Sequence, residues 1–151
     1  MIDHEELKKI ELFEDLNEEE LKKVADICEE EQHKAGDILF SENSPADNLY
    51  VMRRGRVAIE IEVSGGKKVN VYTASQDDEP FGWSALVEPF KSTASARCVK
   101  DSTIVSIDGR GLKNLIDNDY RLGYIIMRKV ARVISTRLRN TRLQLISVAY
   151  G

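Results

Sequence analysis

The sequence predicts a mostly β domain with flanking helices: a double-stranded β-helix, or jelly-roll, barrel followed by a long C-terminal helix. Three observations carry this. Apolar residues alternate with polar ones through the middle of the chain, at Ile38 and Phe40, Leu49 and Val51, then Val57, Ile59, Ile61 and Val63. Period two is the signature of strands with one buried face. Glycine-rich breaks at Gly36-Asp37, Gly55 and Ser64-Gly65-Gly66 separate these runs and mark turns. Beyond Asp119 the period becomes helical and stays so to Val148.

In chain order, residues 12–28 read as a helix and its approach. Asn17 followed by Glu20 forms a capping box, and Leu21, Val24, Ala25 and Cys28 share one face. Val69 and Val71 continue the alternation on a return strand, and Thr103 to Ile107 is a further β-branched run. Short strands at regular spacing, bounded by Gly and Asp turns, argue a sandwich or jelly-roll barrel. Asp108 caps a short helix containing Leu112, Leu115 and Ile116. The final helix is roughly 45 Å long at the α-helical rise, more than one small barrel can cover. Met127, Ala131, Ile134, Leu138, Thr141, Leu145 and Val148 recur at alternating spacings of four and three, which is a coiled-coil seam. Ile125, Ile126, Val130 and Val133 supply a second apolar face for the barrel. Two apolar faces on one helix predict a homodimer. Residues 1–118 then form the barrel with its N-terminal helices, and 119–151 the dimerisation helix of the same structural unit.

Composition narrows the function. The chain has 151 residues, 42% hydrophobic and 32% charged, with net charge −4. That is ordinary for a globular domain and repels nucleic acid overall. Residues 1–34 hold thirteen acidic against five basic residues, whereas the chain from Tyr120 onward holds seven Lys/Arg and no acid. The plain expectation is that these two regions pack near each other. No apolar run approaches a membrane span, and the polar N-terminus is no secretory signal, so a cytoplasmic protein with no membrane partner is expected. Cys28 and Cys98 are too few for a cluster and read as buried apolar residues. Only His4 and His33 are available to a metal, and no P-loop, HExxH or nucleophile elbow is present. No catalytic or metal-ligating set is expected, and no resident cofactor; a haem-sensing variant would have to use His33, a cysteine or a methionine.

The order and spacing of several short motifs resemble the cyclic-nucleotide-binding effector domain of the Crp–Fnr family. They are Leu12-Phe13 with Leu16, Ala35-Gly36-Asp37-Ile38-Leu39-Phe40, Ala46-Asp47-Asn48-Leu49-Tyr50-Val51 and Arg54-Gly55-Arg56-Val57. Phe81-Gly82, Ala85-Leu86, Thr93-Ala94-Ser95-Ala96 and Asp101-Ser102 follow in the family's order. The resemblance implies a ligand cassette from Gly82 to Thr93, in which a short helix beginning at the glycine offers N–H groups to a cyclic phosphate. Gly82, Trp83, Ser84, Ala85, Lys91, Ser92 and Thr93 are its candidate ligand residues. Two positions depart from the family. Trp83 stands where a glutamate accepts the ribose hydroxyl, and Ser92 where an arginine meets the phosphate. An indole only donates, and serine carries no charge, so cyclic AMP binding by the usual pair is not expected. The effector expected is a cyclic nucleotide or another small anionic ligand, with Lys91 as a partial substitute point charge if its side chain turns inward. Trp83 either stacks on a flat ligand or fills the vacated pocket as core. Arg137 and Thr141 lie where the family's long helix reaches the ligand. The plainer expectation is that Arg137 is solvated and Thr141 is a small residue tolerated in the seam.

A Crp–Fnr transcription factor carries a helix-turn-helix domain after the long helix, and no such segment follows Val148 here. The expected function is therefore a stand-alone sensor or regulatory module that responds to a small-molecule effector and does not itself bind DNA. The absence of a linker-like Pro/Gly stretch after Leu145 favours a natural end over a fragment. The alternatives are a ligand-free dimeric interaction module or the effector domain of a truncated transcription regulator. The sequence names no downstream protein partner.

Overall fold

Alternating apolar residues can bury one face of a sheet only if a second sheet covers it, and that is the arrangement found. The structure, a computed structural model, describes residues 2–75 and 78–151. Its described strands are β1 (Cys28–His33), β2 (Ile38–Phe40), β3 (Asn48–Arg54), β4 (Val57–Glu62), β5 (Lys68–Ala74), β6 (Pro80–Phe81), β7 (Ser95–Cys98) and β8 (Ser102–Asp108). They form two four-stranded antiparallel sheets in the orders β1-β8-β3-β6 and β2-β7-β4-β5. Sequence neighbours are seldom sheet neighbours, as in a jelly roll. Between the sheets lie Tyr50, Met52, Val57, Ala74, Phe81, Ala96, Cys98 and Ile104.

β3 and β8 are buried on both faces, which one-sided alternation does not predict. Tyr50, Met52 and Ile104 point between the sheets, while Leu49, Val51, Val105 and Ile107 point the other way into a helical layer. That layer is built from α1 (His4–Lys8), α2 (Glu18–Ala25), α3 (Gly109–Asn118) and α4 (Tyr120–Tyr150). Leu7, Phe13, Leu21, Val24, Leu112, Leu122, Ile126 and Val130 complete its core.

The expected caps are present. Asn17 and Glu20 exchange side-chain and backbone bonds at 2.9 Å in both directions. The Asp108 carboxylate accepts from the Gly111 amide at 2.9 Å. Asp119 does the same for Leu122 at 3.1 Å and starts α4. The first helix is shorter than the 12–28 reading. α2 ends at Ala25, and the chain then pairs with β8, so Cys28 opens strand β1 and does not continue the helix face. Burial pushes the Cys28 thiol up to about 12 and the Cys98 thiol upward as well, so both remain protonated at neutral pH.

The acidic front and the basic helix do meet. Lys129 of α4 donates to Glu14 at 2.8 Å and lies 3.2 Å from Asp15. Arg132 stands 3.6 Å from Glu11, and Arg121 pairs with Glu20. These contacts tie α4 to the N-terminal segment.

The crossing from β3 to β4, which belong to different sheets, depends on Gly55. Its φ is +111°, and a Cβ placed there would sit 2.6 Å from the Ser102 Cα. Backbone cannot yield as a flexible side chain can, and the left-handed φ adds strain. Gly55→Ala is expected to cost about 3 kcal/mol or more, read as a lowered denaturation midpoint with unchanged slope. A loss below about 1 kcal/mol would show that this corner relaxes freely.

Candidate ligand site

The Gly82–Thr93 cassette begins where β6 leaves β3. Gly82 adopts φ +78°, ψ 28°, and a Cβ there would meet the Tyr50 ring at 3.1 Å and the Asn48 carbonyl at 3.3 Å. Conformation and space thus both require glycine. A 3-10 turn over Trp83–Leu86 follows, held by the Ala85 amide donating to the Gly82 carbonyl at 3.3 Å. The cassette returns at Ser92, whose amide donates to the Ser44 carbonyl at 2.9 Å and whose carbonyl accepts from the Asn43 amide at 2.8 Å. This double tether fixes Ser92, which is buried.

Between the turn, the β2-β7-β4-β5 sheet and α4 lies a cavity of about 400 Å³. Phe40, Tyr72, Phe81 and Trp83 give it an aromatic lining, and Ile59, Ile61 and Val71 an aliphatic wall. Ser84, Ser92, Thr93 and Thr141 contribute hydroxyls, and Arg137 the charged group. The partial exposure of Val71 follows from its place here, next to a β-bulge at Ile59/Glu60 that shifts the β4–β5 register.

Arg137 is not solvated, contrary to the sequence expectation. Its side chain is only 15% exposed, and that of its partner Glu79 14%. The guanidinium centre lies 3.7 Å from the Tyr72 ring centroid and 5.0 Å from that of Trp83. Its Nη2 donates to Glu79 Oε1 at 2.8 Å and to the Pro80 carbonyl at 3.1 Å. Burial lowers the Arg137 pKa from its ordinary value, and the neighbouring Glu79 carboxylate acts the other way. A flat, weakly hydrated guanidinium suits a slot between aromatic faces, which an ammonium would not. Thr141, one turn on, donates its hydroxyl to the Arg137 carbonyl at 2.8 Å and also lines the cavity.

Of the candidates from the sequence, Gly82, Trp83, Ser84, Ser92, Thr93, Arg137 and Thr141 converge on this cavity. Lys91 and Ala85 do not. Lys91 is exposed and bridges Pro45 through its backbone, because the tether that turns Ser92 inward turns its neighbour outward. Ala85 is buried on the far side of the turn against Gly109. Trp83 is half-buried: it packs on the helical core and also lines the cavity. Tyr72 and Glu79 were missed. Tyr72 sits two residues beyond Asn70 in an alternating strand, but only its long-range contact with α4 makes it part of a site.

Of the residues expected in a dimer seam, one is partly covered by its own domain. Met127, Ala131, Leu138, Thr141, Leu145 and Val148 are exposed, whereas Ile134 is half-buried against the helical core. Ile134 lies one turn after the buried Val130 and so leans on the edge of its own domain.

Fold and cavity together describe a ligand-binding regulatory barrel. A family model described as "Cyclic nucleotide-binding domain" matches residues 30–119, and the chain belongs to that family, in its Crp–Fnr branch. A protein of Geobacter metallireducens GS-15 assigned to the cyclic-nucleotide-binding class is 34% identical, with TM-score 0.83 over 91% of this chain and 99% of that one. A cyclic nucleotide-binding domain from Methylobacillus flagellatus shares the fold at 18% identity, with TM-score 0.80 over 97% and 82% of the two chains. The CRP-like cAMP-activated global transcriptional regulator of Mycobacterium tuberculosis is 28% identical over 112 residues. That match covers 74% of this chain and 48% of the regulator, so the chain spans about half the length of the curated relatives it matches. No helix among the described residues is long and apolar enough to cross a membrane.

Proposed function

We propose that the chain is a non-enzymatic sensor module that binds a small effector between the Gly82 turn and α4 and signals as a homodimer through the exposed stripe of α4. One observation carries the reading: barrel and signalling helix wall the same cavity, with Trp83 and Ser84 on one side and Arg137 and Thr141 on the other. A ligand touching both sides binds differently to two placements of α4, and only such a difference can shift a conformational equilibrium. The cavity volume falls within the ordinary range for small-molecule sites.

The mycobacterial relative is cAMP-activated, but for this chain we infer weak cyclic AMP binding. Trp83 and Ser92 supply neither the carboxylate nor the guanidinium, and exposed Lys91 does not replace them. We also infer no DNA binding by this stretch of chain, because its net charge is −4 and Arg121, Lys129, Arg132 and Arg137 are already paired with carboxylates.

The test is native mass spectrometry of protein purified from its own host, followed by hydrogen exchange with whatever is bound. A copurifying small molecule should protect α4 amides around residues 133–145. Ligand at 100 times its dissociation constant should add ~2.7 kcal/mol of stability. Bound ligand without altered exchange along α4 would refute the coupling. Absence of any ligand, and of stabilisation by a metabolite panel, would favour a ligand-free interaction module. The observation on that side is that Arg137 and Glu79 already occupy one end of the site with their own ion pair.

A further inference from the structure

The cavity is poorly matched to an anion and well matched to a flat neutral ring. Arg137 is the cation among its lining residues, and Glu79 at 2.8 Å already answers its charge. A phosphate brought here would lose its water without gaining an uncompensated positive charge. Ser84, Ser92, Thr93 and Thr141 add only uncharged hydroxyls. The apolar surfaces are planar. Phe40 and Phe81 form a floor backed by Tyr50, whose ring centroid is 5.8 Å from Phe40 and 5.4 Å from Phe81. Tyr72 and Trp83 stand on either side of the guanidinium.

The guanidinium also keeps donors in reserve. Both Nη2 hydrogens are accounted for by Glu79 and the Pro80 carbonyl, whereas Nη1 and Nε make no hydrogen bond among the described residues. Their N–H groups lie in the guanidinium plane on different edges, so each can point a single directed donor at an acceptor. We propose that the site takes an uncharged planar aromatic molecule that stacks beside Trp83 and Tyr72 and presents a carbonyl, ring nitrogen or phenol oxygen to Arg137. The proposal rests on reading this cavity as the effector site. It makes Trp83 a ligand-selecting residue, since the same indole that excludes ribose recognition supplies a stacking face.

Calorimetry on the full chain with quinolin-2-one, a neutral bicycle with one carbonyl, and with cyclic AMP tests it. Quinolin-2-one should bind at least about tenfold more tightly than cyclic AMP. Arg137→Lys, which keeps the charge but loses the planar fork, should weaken quinolin-2-one by about fivefold or more while leaving cyclic AMP unimproved. Tighter binding of cyclic AMP by the wild type would leave the cavity as the effector site and overturn the ligand class. Equal quinolin-2-one affinity in wild type and Arg137→Lys would also overturn it. If neither probe binds, and no uncharged aromatic or cyclic nucleotide in a thermal-shift panel stabilises the protein, the effector-site reading fails together with this one.

Discussion

Leu138→Glu combined with Leu145→Glu is expected to turn a dimer into a folded monomer in sedimentation at about 10–50 μM, an order-of-magnitude range for a stable helical interface. The two leucines lie seven residues apart on one face of α4 and are 49% and 69% exposed, with exposed Met127 and Val148 extending the same stripe. So long an apolar stripe on an uncovered helix is the surface that the proposed homodimer would bury. In a two-fold pair each introduced carboxylate meets its own copy across the seam, where desolvation and like charge both oppose association. Neither leucine belongs to the helical core or lines the cavity, so circular dichroism and ligand binding by the monomeric variant should survive. Ile134→Glu would be a poorer test, because Ile134 also packs on that core and its loss confounds dissociation with unfolding. A wild type that sediments as a monomer would remove the dimer from the mechanism.

The features legible in the sequence were those encoded by nearby residues. The Asn17–Glu20 box and the Asp108 cap each act within a few positions, and each is present in the fold. The alternation of Val57, Ile59 and Ile61 gives the strand but not its buried face: Val57, Ala58 and Glu60 are buried, and the two isoleucines beside the bulge are half-buried. Strand β1 was not legible, because its segment CEEEQH buries only Cys28 and becomes a strand by pairing with β8, 69 to 79 residues away. The helix pattern that seemed to run on to Cys28 was ended by that pairing. The candidate site divides in the same way. Gly82, Ser92 and Thr93 followed from motif order. The slot around Arg137 joins β5, the β6 approach and α4, and no spacing rule connects Tyr72 or Glu79 to residue 137. An arginine on a helix reads as solvated until its neighbours across the fold are known.

The largest change in ligand affinity is expected from Trp83→Glu together with Ser92→Arg, measured with cyclic AMP. Residue 83 opens the 3-10 turn directly after Gly82, and residue 92 is buried in the same cavity wall, so the new carboxylate and guanidinium would face one ligand. Charge-assisted hydrogen bonds of this kind are each worth roughly 1.5–3 kcal/mol, so the pair should tighten cyclic AMP by at least about tenfold over the wild type. The single changes should do much less. A carboxylate from Trp83→Glu alone sits beside Arg137, which the indole now flanks at 5.0 Å, and it would draw that guanidinium inward before any ribose arrived. A guanidinium from Ser92→Arg alone meets a cavity still occupied by the indole. Together they neutralise one another in the empty site and divide ribose and phosphate between them in the filled one. The double change should therefore exceed the sum of the singles. Calorimetry on the wild type, both singles and the double decides the matter. Sub-micromolar binding by the wild type would mean that Arg137 or the Gly82 turn already does the work assigned to the absent pair. A double variant that folds and still ignores cyclic AMP would mean that Tyr72 and the Arg137–Glu79 pair, not positions 83 and 92, determine what this cavity accepts.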